Sequence, residues 1–220
     1  MPNTIINEDD KKRLDSADIK TKVFKAFGHL LKTMRISDES EDIIFFDVDN
    51  RHYKFNKATE ELMYQDKATE DWVPPLIFRN GNYPAMTLGN DTGVYYHQFL
   101  LSIYEPDEFV KYILDKDNKD EDGRLEINHM VISEDGYHTI TGTHADCLEI
   151  DTKGKNNAHK TFIKKYGLYG IKVSIKDLDV LEKILQSTNK MPNTEEAIQK
   201  VLNYYKLKEP LVKHDYRDLQ

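Results

Sequence analysis

The chain has 220 residues, 39% of them hydrophobic and 32% charged, with 39 acidic against 31 basic side chains and a formal charge of −8. The apolar share suffices for a folded core and excludes a disordered chain, and the lack of any run of about 18 apolar residues excludes a membrane span. The acidic balance argues against a chain that tracks a phosphate backbone over its whole surface, so nucleic-acid contact would need a local basic patch. A single cysteine cannot close an internal disulfide, and the polar stretch from Met1 to Lys12 lacks the apolar run of an export signal. Both features lead us to expect a cytoplasmic location.

Residues 8 to 34 read as one amphipathic helix, with Val23, Phe24, Phe27, Leu30, Leu31 and Met34 on a single stripe. That spacing suits a core or dimer contact better than a membrane anchor. Ile43-Ile44-Phe45-Phe46 and Tyr53-Lys54-Phe55 suggest paired strands, and Trp72-Val73-Pro74-Pro75 sets a boundary near residue 75. From Glu105 to Glu126 there are nine acids and four bases, centred on the stretch from Asp115 to Gly123. A calcium loop of the EF-hand type fails there, because Lys119 stands where an oxygen ligand belongs and Asp120 where glycine is required. An exposed acidic linker is the ordinary reading; a surface imitating DNA phosphates is the alternative.

Arg124 to His129 alternates polar and apolar like a half-buried strand, which turns Leu125 and Ile127 to a core and brings Asn128 and His129 to the strand's exit. Leu148 and Ile150 alternate again in a short second strand. Thr152 then stands as an N-cap ahead of a helix from Lys153 to Tyr166, which carries Asn156 and His159 three apart on one face. A strand end and a helix face of this kind can converge on one divalent ion, with amide oxygens suiting a hard cation and imidazole serving as ligand or base. The plainer readings are a core histidine at 129 and surface amides at Asn156 and Asn157. Between the two strands, Tyr137 to Thr141 alternates like an inserted strand or hairpin, His138 and His144 read as solvent-exposed, and Cys147 reads as a small apolar residue.

From Thr152 to Lys176 there are seven lysines and no Asp or Glu, which is the local exception to the acidic total. Asp177 to Leu185 and Thr194 to Tyr205 then read as two helices, the second opened by Asn193 with Glu196 three residues on as a capping box. A helix-turn-helix reader is conceivable there, but Asp177, Asp179, Glu182, Glu195 and Glu196 would oppose phosphates, so packing on the core is expected.

Asn128-His129, Leu148-Glu149-Ile150-Asp151-Thr152, Asn156 four residues beyond Thr152, and then His159 form an ordered series. It resembles the HNH, or ββα-metal, nucleases, especially the phage and intron-encoded homing-endonuclease branch. The resemblance implies that His129 is the general base that activates water, that Asn128 and Asn156 hold Mg2+ or Mn2+, and that His159 is an accessory group. Lys153, Lys155, Lys160, Lys164 and Lys165 would then contact the phosphates of double-stranded DNA, with no membrane partner. The likeness covers roughly residues 78 to 168. Upstream, Asn82 to Leu88, a turn from Gly89 to Gly93, Val94-Tyr95-Tyr96 and the stretch from His97 to Tyr104 look like the family's hairpin running into a helix, with His97 structural. Two features depart from the pattern: Cys147 replaces the asparagine that pins the loop, and the segment between His129 and Leu148 is longer.

The expected fold is thus α+β: an N-terminal helix and small β module over 1–75, an HNH-like ββα nuclease domain over 76–170, and a C-terminal helical segment over 171–220. The implied function is a divalent-metal-dependent DNA endonuclease of phage or mobile-element type, acting in the host cytoplasm if phage-encoded. The alternative is a catalytically inactive member of that fold, a regulator or inhibitor whose acidic surface occupies a nucleic-acid-binding protein. A third reading keeps the motif as a structural relic.

Overall fold

The computed structural model describes residues 5–115, 123–135, 145–187 and 192–206. They are mixed α+β and divide into two compact units, residues 1–80 with 85–115 and residues 81–84 with 116–220. Among the described residues no helix is long and apolar enough to cross a membrane.

In the first unit the stretch expected as one helix is two, α1 (Glu8–Ser16) and α2 (Lys22–Thr33). The Asn7 side chain caps α1 by accepting from the Asp10 backbone, and three acids in the first turn complement the helix dipole. Ala17 is extended and the Ile19 N–H turns back to the Ala17 carbonyl, which ends the helical ladder. The apolar stripe belongs to α2 alone: Phe24, Phe27, Leu30, Leu31 and the following Met34 are buried, whereas α1 contributes only Leu14 as an apolar anchor. The stripe is therefore core.

A five-stranded antiparallel meander follows, β1 (Arg35–Ile36), β2 (Ile43–Val48), β3 (Arg51–Asn56), β4 (Glu61–Gln65) and β5 (Trp72–Val73). The expected pairing is present, with Ile44 opposite Phe55 and Phe46 opposite Tyr53. These four are buried on one face, where the Phe46 and Tyr53 rings stack 5.0 Å apart. Asp49 and Asn50 both have positive φ, the two-residue turn whose twist suits a hairpin. Thr33 Oγ1 links α2 to β2, donating to the Asp47 carbonyl and accepting from the Asp47 N–H, both at 3.0 Å.

The second sheet has the order β6 (Ile77–Asn80), β7 (Tyr83–Leu88), β8 (Thr92–Tyr95), and β8 leads into α3 (Tyr96–Tyr104). The acidic stretch is not simply an exposed linker. Its first part is α4 (Pro106–Asp115), which buries Phe109, Val110, Tyr112 and Ile113 and sets Phe109 against Phe27 and Tyr112 against Phe24. A helix whose apolar residues recur at three- to four-residue spacing, as Phe109, Val110, Tyr112 and Ile113 do, can bury one face and solvate the other. The remainder, 116–122, lies outside the described residues, as do Tyr137 to Thr141, His138 and His144.

Gly89 closes the β7–β8 turn at φ +65°, where its N–H donates to the Tyr53 hydroxyl at 2.7 Å. A Cβ there would collide with Asp49 Oδ2. Gly89→Ala is expected to destabilise the protein by about 1–3 kcal/mol, from the left-handed backbone and the displaced Asp49 together. A urea midpoint unchanged from wild type would show that the two turns do not constrain each other.

The second unit holds the antiparallel pair β9 (Leu125–His129) and β10 (Leu148–Thr152), then α5 (Lys153–Tyr166), α6 (Leu178–Leu185) and α7 (Thr194–Tyr204). Phe162, Ile163 and Tyr166 of α5 share one core with Leu168, Ile171, Val173, Leu181, Leu185, Ala197, Val201 and Leu202. Asn193 caps α7 by accepting from the Glu196 N–H at 2.8 Å. The α6–α7 pair therefore packs on the core, as its acids suggested. The division of the chain does not follow the proline pair: Pro74 and Pro75 sit inside the first unit, α3 and α4 join that unit, and the helices beyond residue 170 belong with α5. Cooperative burial, rather than the backbone stiffness of proline, decides which segments belong together.

Candidate functional site

β9 and β10 pair with Leu148 opposite His129, Glu149 opposite Asn128, Ile150 opposite Ile127 and Asp151 opposite Glu126. Thr152 then caps α5, accepting from the Lys155 N–H at 3.4 Å, so a strand, a strand and a helix follow in the expected order. Because successive strand residues face opposite sides, Glu126 and Asn128 share one face with Glu149, and His129 falls on the other with Leu148.

On the first face the two asparagines are each held by a carboxylate. Asn128 Nδ2 donates to Glu149 Oε1 at 2.9 Å, and Asn156 Nδ2, from α5, donates to Glu126 Oε2 at 3.1 Å. Glu149 is fixed in turn: Ser174 Oγ donates to its Oε2 and the Ile175 N–H to its Oε1, both at 2.7 Å. Arg124 Nη2 donates to Glu126 Oε1 at 3.2 Å. Asn128 is 1% exposed and Asn156 4%, and neither Oδ1 has a hydrogen-bond partner among the described residues.

His129 is 5% exposed, with the Tyr83 ring 5.4 Å away. His159 is fully buried on the same helical face as Asn156. Burial holds its imidazole down to about pKa 4; the Val173 backbone and Lys160 contribute less, in opposite senses. Neither ring nitrogen forms a well-shaped hydrogen bond. The ring is thus neutral near pH 7, the state a metal ligand requires.

The structure therefore pairs Asn128 with Glu149 and Asn156 with Glu126, and sends His129 to the opposite side of the hairpin. Glu126 and Glu149 are the residues the sequence reading overlooked. Their signal was present as two acids at the polar positions of adjacent short strands, since a carboxylate half-buried or buried there requires donors. At position 147 the backbone ties the strands, the Met130 N–H donating to the Cys147 carbonyl at 2.8 Å. Cys147 is itself buried, in a single 3-10 turn, Ala145–Cys147.

The lysine run is partly neutralised by acids outside it. Lys155 pairs with Asp151 at 3.0 Å, Lys165 with Glu182 at 2.7 Å and Lys172 with Asp146 at 3.0 Å. Lys160 and Lys164 lie exposed on α5, while Lys153 is half-buried at its first turn. Exposed ion pairs of this kind are weak enough to be exchanged for a phosphate.

Among the described residues no three His, Cys, Asp or Glu side chains converge as a metal-binding group. The oxygens left without a partner beside β9 and on α5 are those of the two asparagine amides, both neutral and buried. Comparison with protein-family models, with curated proteins and with solved structures finds no match.

Proposed function

We propose that the second unit is an HNH-like strand–strand–helix element that acts on DNA, as an endonuclease using Mg2+ or Mn2+. The observation that carries this reading is the pair of buried, unpartnered Oδ1 atoms of Asn128 and Asn156, placed on a hairpin and the helix that follows it. A hard divalent cation at those oxygens would stabilise charge on the leaving oxygen. His129, the base the family likeness implies, lies on the opposite face of the hairpin from those oxygens, so it would take the proton from the attacking water only after the strand end rearranges. Lys160 and Lys164, with Lys153, Lys155 and Lys165, would draw the phosphate backbone to α5.

A second reading, a non-catalytic relative that works on a protein partner through its acidic surface, is favoured by one observation: Asn128 and His129 are no more than 5% exposed. A base so enclosed reaches a phosphodiester only if its surroundings open. Plasmid relaxation or linearisation with Mg2+ or Mn2+ separates the two. The endonuclease reading expects cleavage by the wild type and a loss of about 100-fold or more in His129→Ala, in line with the usual contribution of a general base. Intact plasmid under both metals, with the wild type folded, would remove that reading.

A further inference from the structure

A cavity of about 290 Å³ lies wholly within the first unit, where β4, the proline pair, β6, β7 and the start of α3 meet. Its apolar walls are Leu62, Met63, Pro74, Pro75, Ile77 and Met86. An apolar cavity of about 150 Å³ already accepts benzene, so this one has room for a single ring with a short chain. The fixed φ of the two prolines keeps one wall in shape without a ligand, and the methionine side chains adapt to what fills the rest.

Three polar groups line the same cavity. Tyr96, the first residue of α3, is only 5% exposed, and among the described residues its hydroxyl has no hydrogen-bond partner. An enclosed phenol of this kind is costly unless a ligand or water meets it. Burial, and then the charge of Glu60, hold it above its ordinary pKa, so it stays neutral and its oxygen can accept from an N–H. Glu60 and Glu61 are the other two, and no Lys, Arg or His lines the cavity among the described residues. Glu61 is exposed, and its carboxylate accepts there only from Thr59 Oγ1, at 3.1 Å on Oε2, which leaves Oε1 open. This lining repels an anion, and a plain hydrocarbon would leave the carboxylates and the phenol unanswered.

We propose that the cavity binds a small primary amine, its apolar body against Leu62, Met63, Ile77 and Met86 and its ammonium donating to Glu61 and to the Tyr96 hydroxyl beside Glu60. A cavity near the lower end of small-ligand sites encloses most of a one-ring molecule, which is why the occupant is a free amine of that size. Every lining residue belongs to the first unit, so the site is independent of the endonuclease reading.

The test is a titration of the full chain, labelled with 13C-methyl methionine, with phenethylamine. Two of the six methionines, Met63 and Met86, line the cavity, and Met34 and Met130 do not. The expected result is saturable movement of the Met63 and Met86 methyl signals, with Met34 and Met130 still, at a Kd on the order of 0.1–1 mM for about nine heavy atoms. The uncharged alcohol of the same size, 2-phenylethanol, should bind about 3–10-fold more weakly, and phenylacetate more weakly still. Glu60→Gln combined with Glu61→Gln should bring the amine down to the alcohol, and Tyr96→Phe should lower amine affinity about 2–10-fold. Ile77→Trp fills the cavity from a half-buried position and should abolish binding with the Met34 methyl signal in place. No saturation by phenethylamine up to about 10 mM, equal affinity for the amine and either control, or movement spread over Met34 and Met130 overturns the proposal and leaves the reading of the second unit untouched.

Discussion

Glu149→Ala is expected to destabilise the second unit by about 3–5 kcal/mol, read as the urea midpoint of that unit's transition. The carboxylate is only 8% exposed and receives hydrogen from three donors on two parts of the chain, Asn128 on β9 and Ser174 and Ile175 ahead of α6. Alanine leaves the Asn128 amide and the Ile175 N–H buried without acceptors, at about 1–3 kcal/mol each, and opens space where the side chain stood. Glu149→Gln retains the three bonds and is expected to stay within about 1 kcal/mol of the wild type, because hydrogen bonds rather than net charge hold this corner. A loss below about 1 kcal/mol in the alanine variant would mean that water replaces the carboxylate and that the corner is not sealed.

Acid should weaken the protein through His159 well before most carboxylates titrate. Its ordinary pKa is 6.5 and its buried value about 4, so between these limits the unfolded chain holds a proton that the folded chain does not. Stability from this group is therefore complete above pH 6.5 and lost as the pH falls toward 4, by about 3 kcal/mol in all. In His159→Leu, which cannot titrate and conserves the apolar volume, that part of the slope should vanish. Urea unfolding of both proteins between pH 7 and pH 4 provides the comparison, and parallel curves would show that the imidazole is protonated in the folded state. A bound divalent cation that uses this ring would steepen the wild-type curve further, since protons and metal compete for one nitrogen.

What was legible in advance follows from period. Ile44, Phe46, Tyr53 and Phe55 alternate so regularly that both strands and their shared buried face could be read directly; Leu125, Ile127, Leu148 and Ile150 gave the second strand pair, but of these four only Leu148 is buried, and on β9 burial falls on Asn128 and His129 instead. Caps were equally readable: Thr152 and Asn193 stand one residue before α5 and α7. The break at Ala17 was not, because a helical period continues through residues whose backbone leaves the helix, and only the lack of apolar anchors in α1 betrays it. Nor was the partnership of Glu149 with Ser174 and Ile175, since alternation names the face a side chain occupies and says nothing about which distant donor meets it. The deep burial of His129 belongs to the same class, being a property of what packs over a strand end rather than of the strand.

The enclosure of Cys147 has a practical use. It is the one cysteine in the sequence, and it is 3% exposed. Thiol reagents act on an accessible thiolate, so a cysteine placed at Lys160 on the outward side of α5 would be labelled ahead of it without any background substitution. A fluorophore attached there would sit on the basic flank of the helix, and a change in its emission on mixing with duplex DNA would test the proposed contact independently of any cleavage.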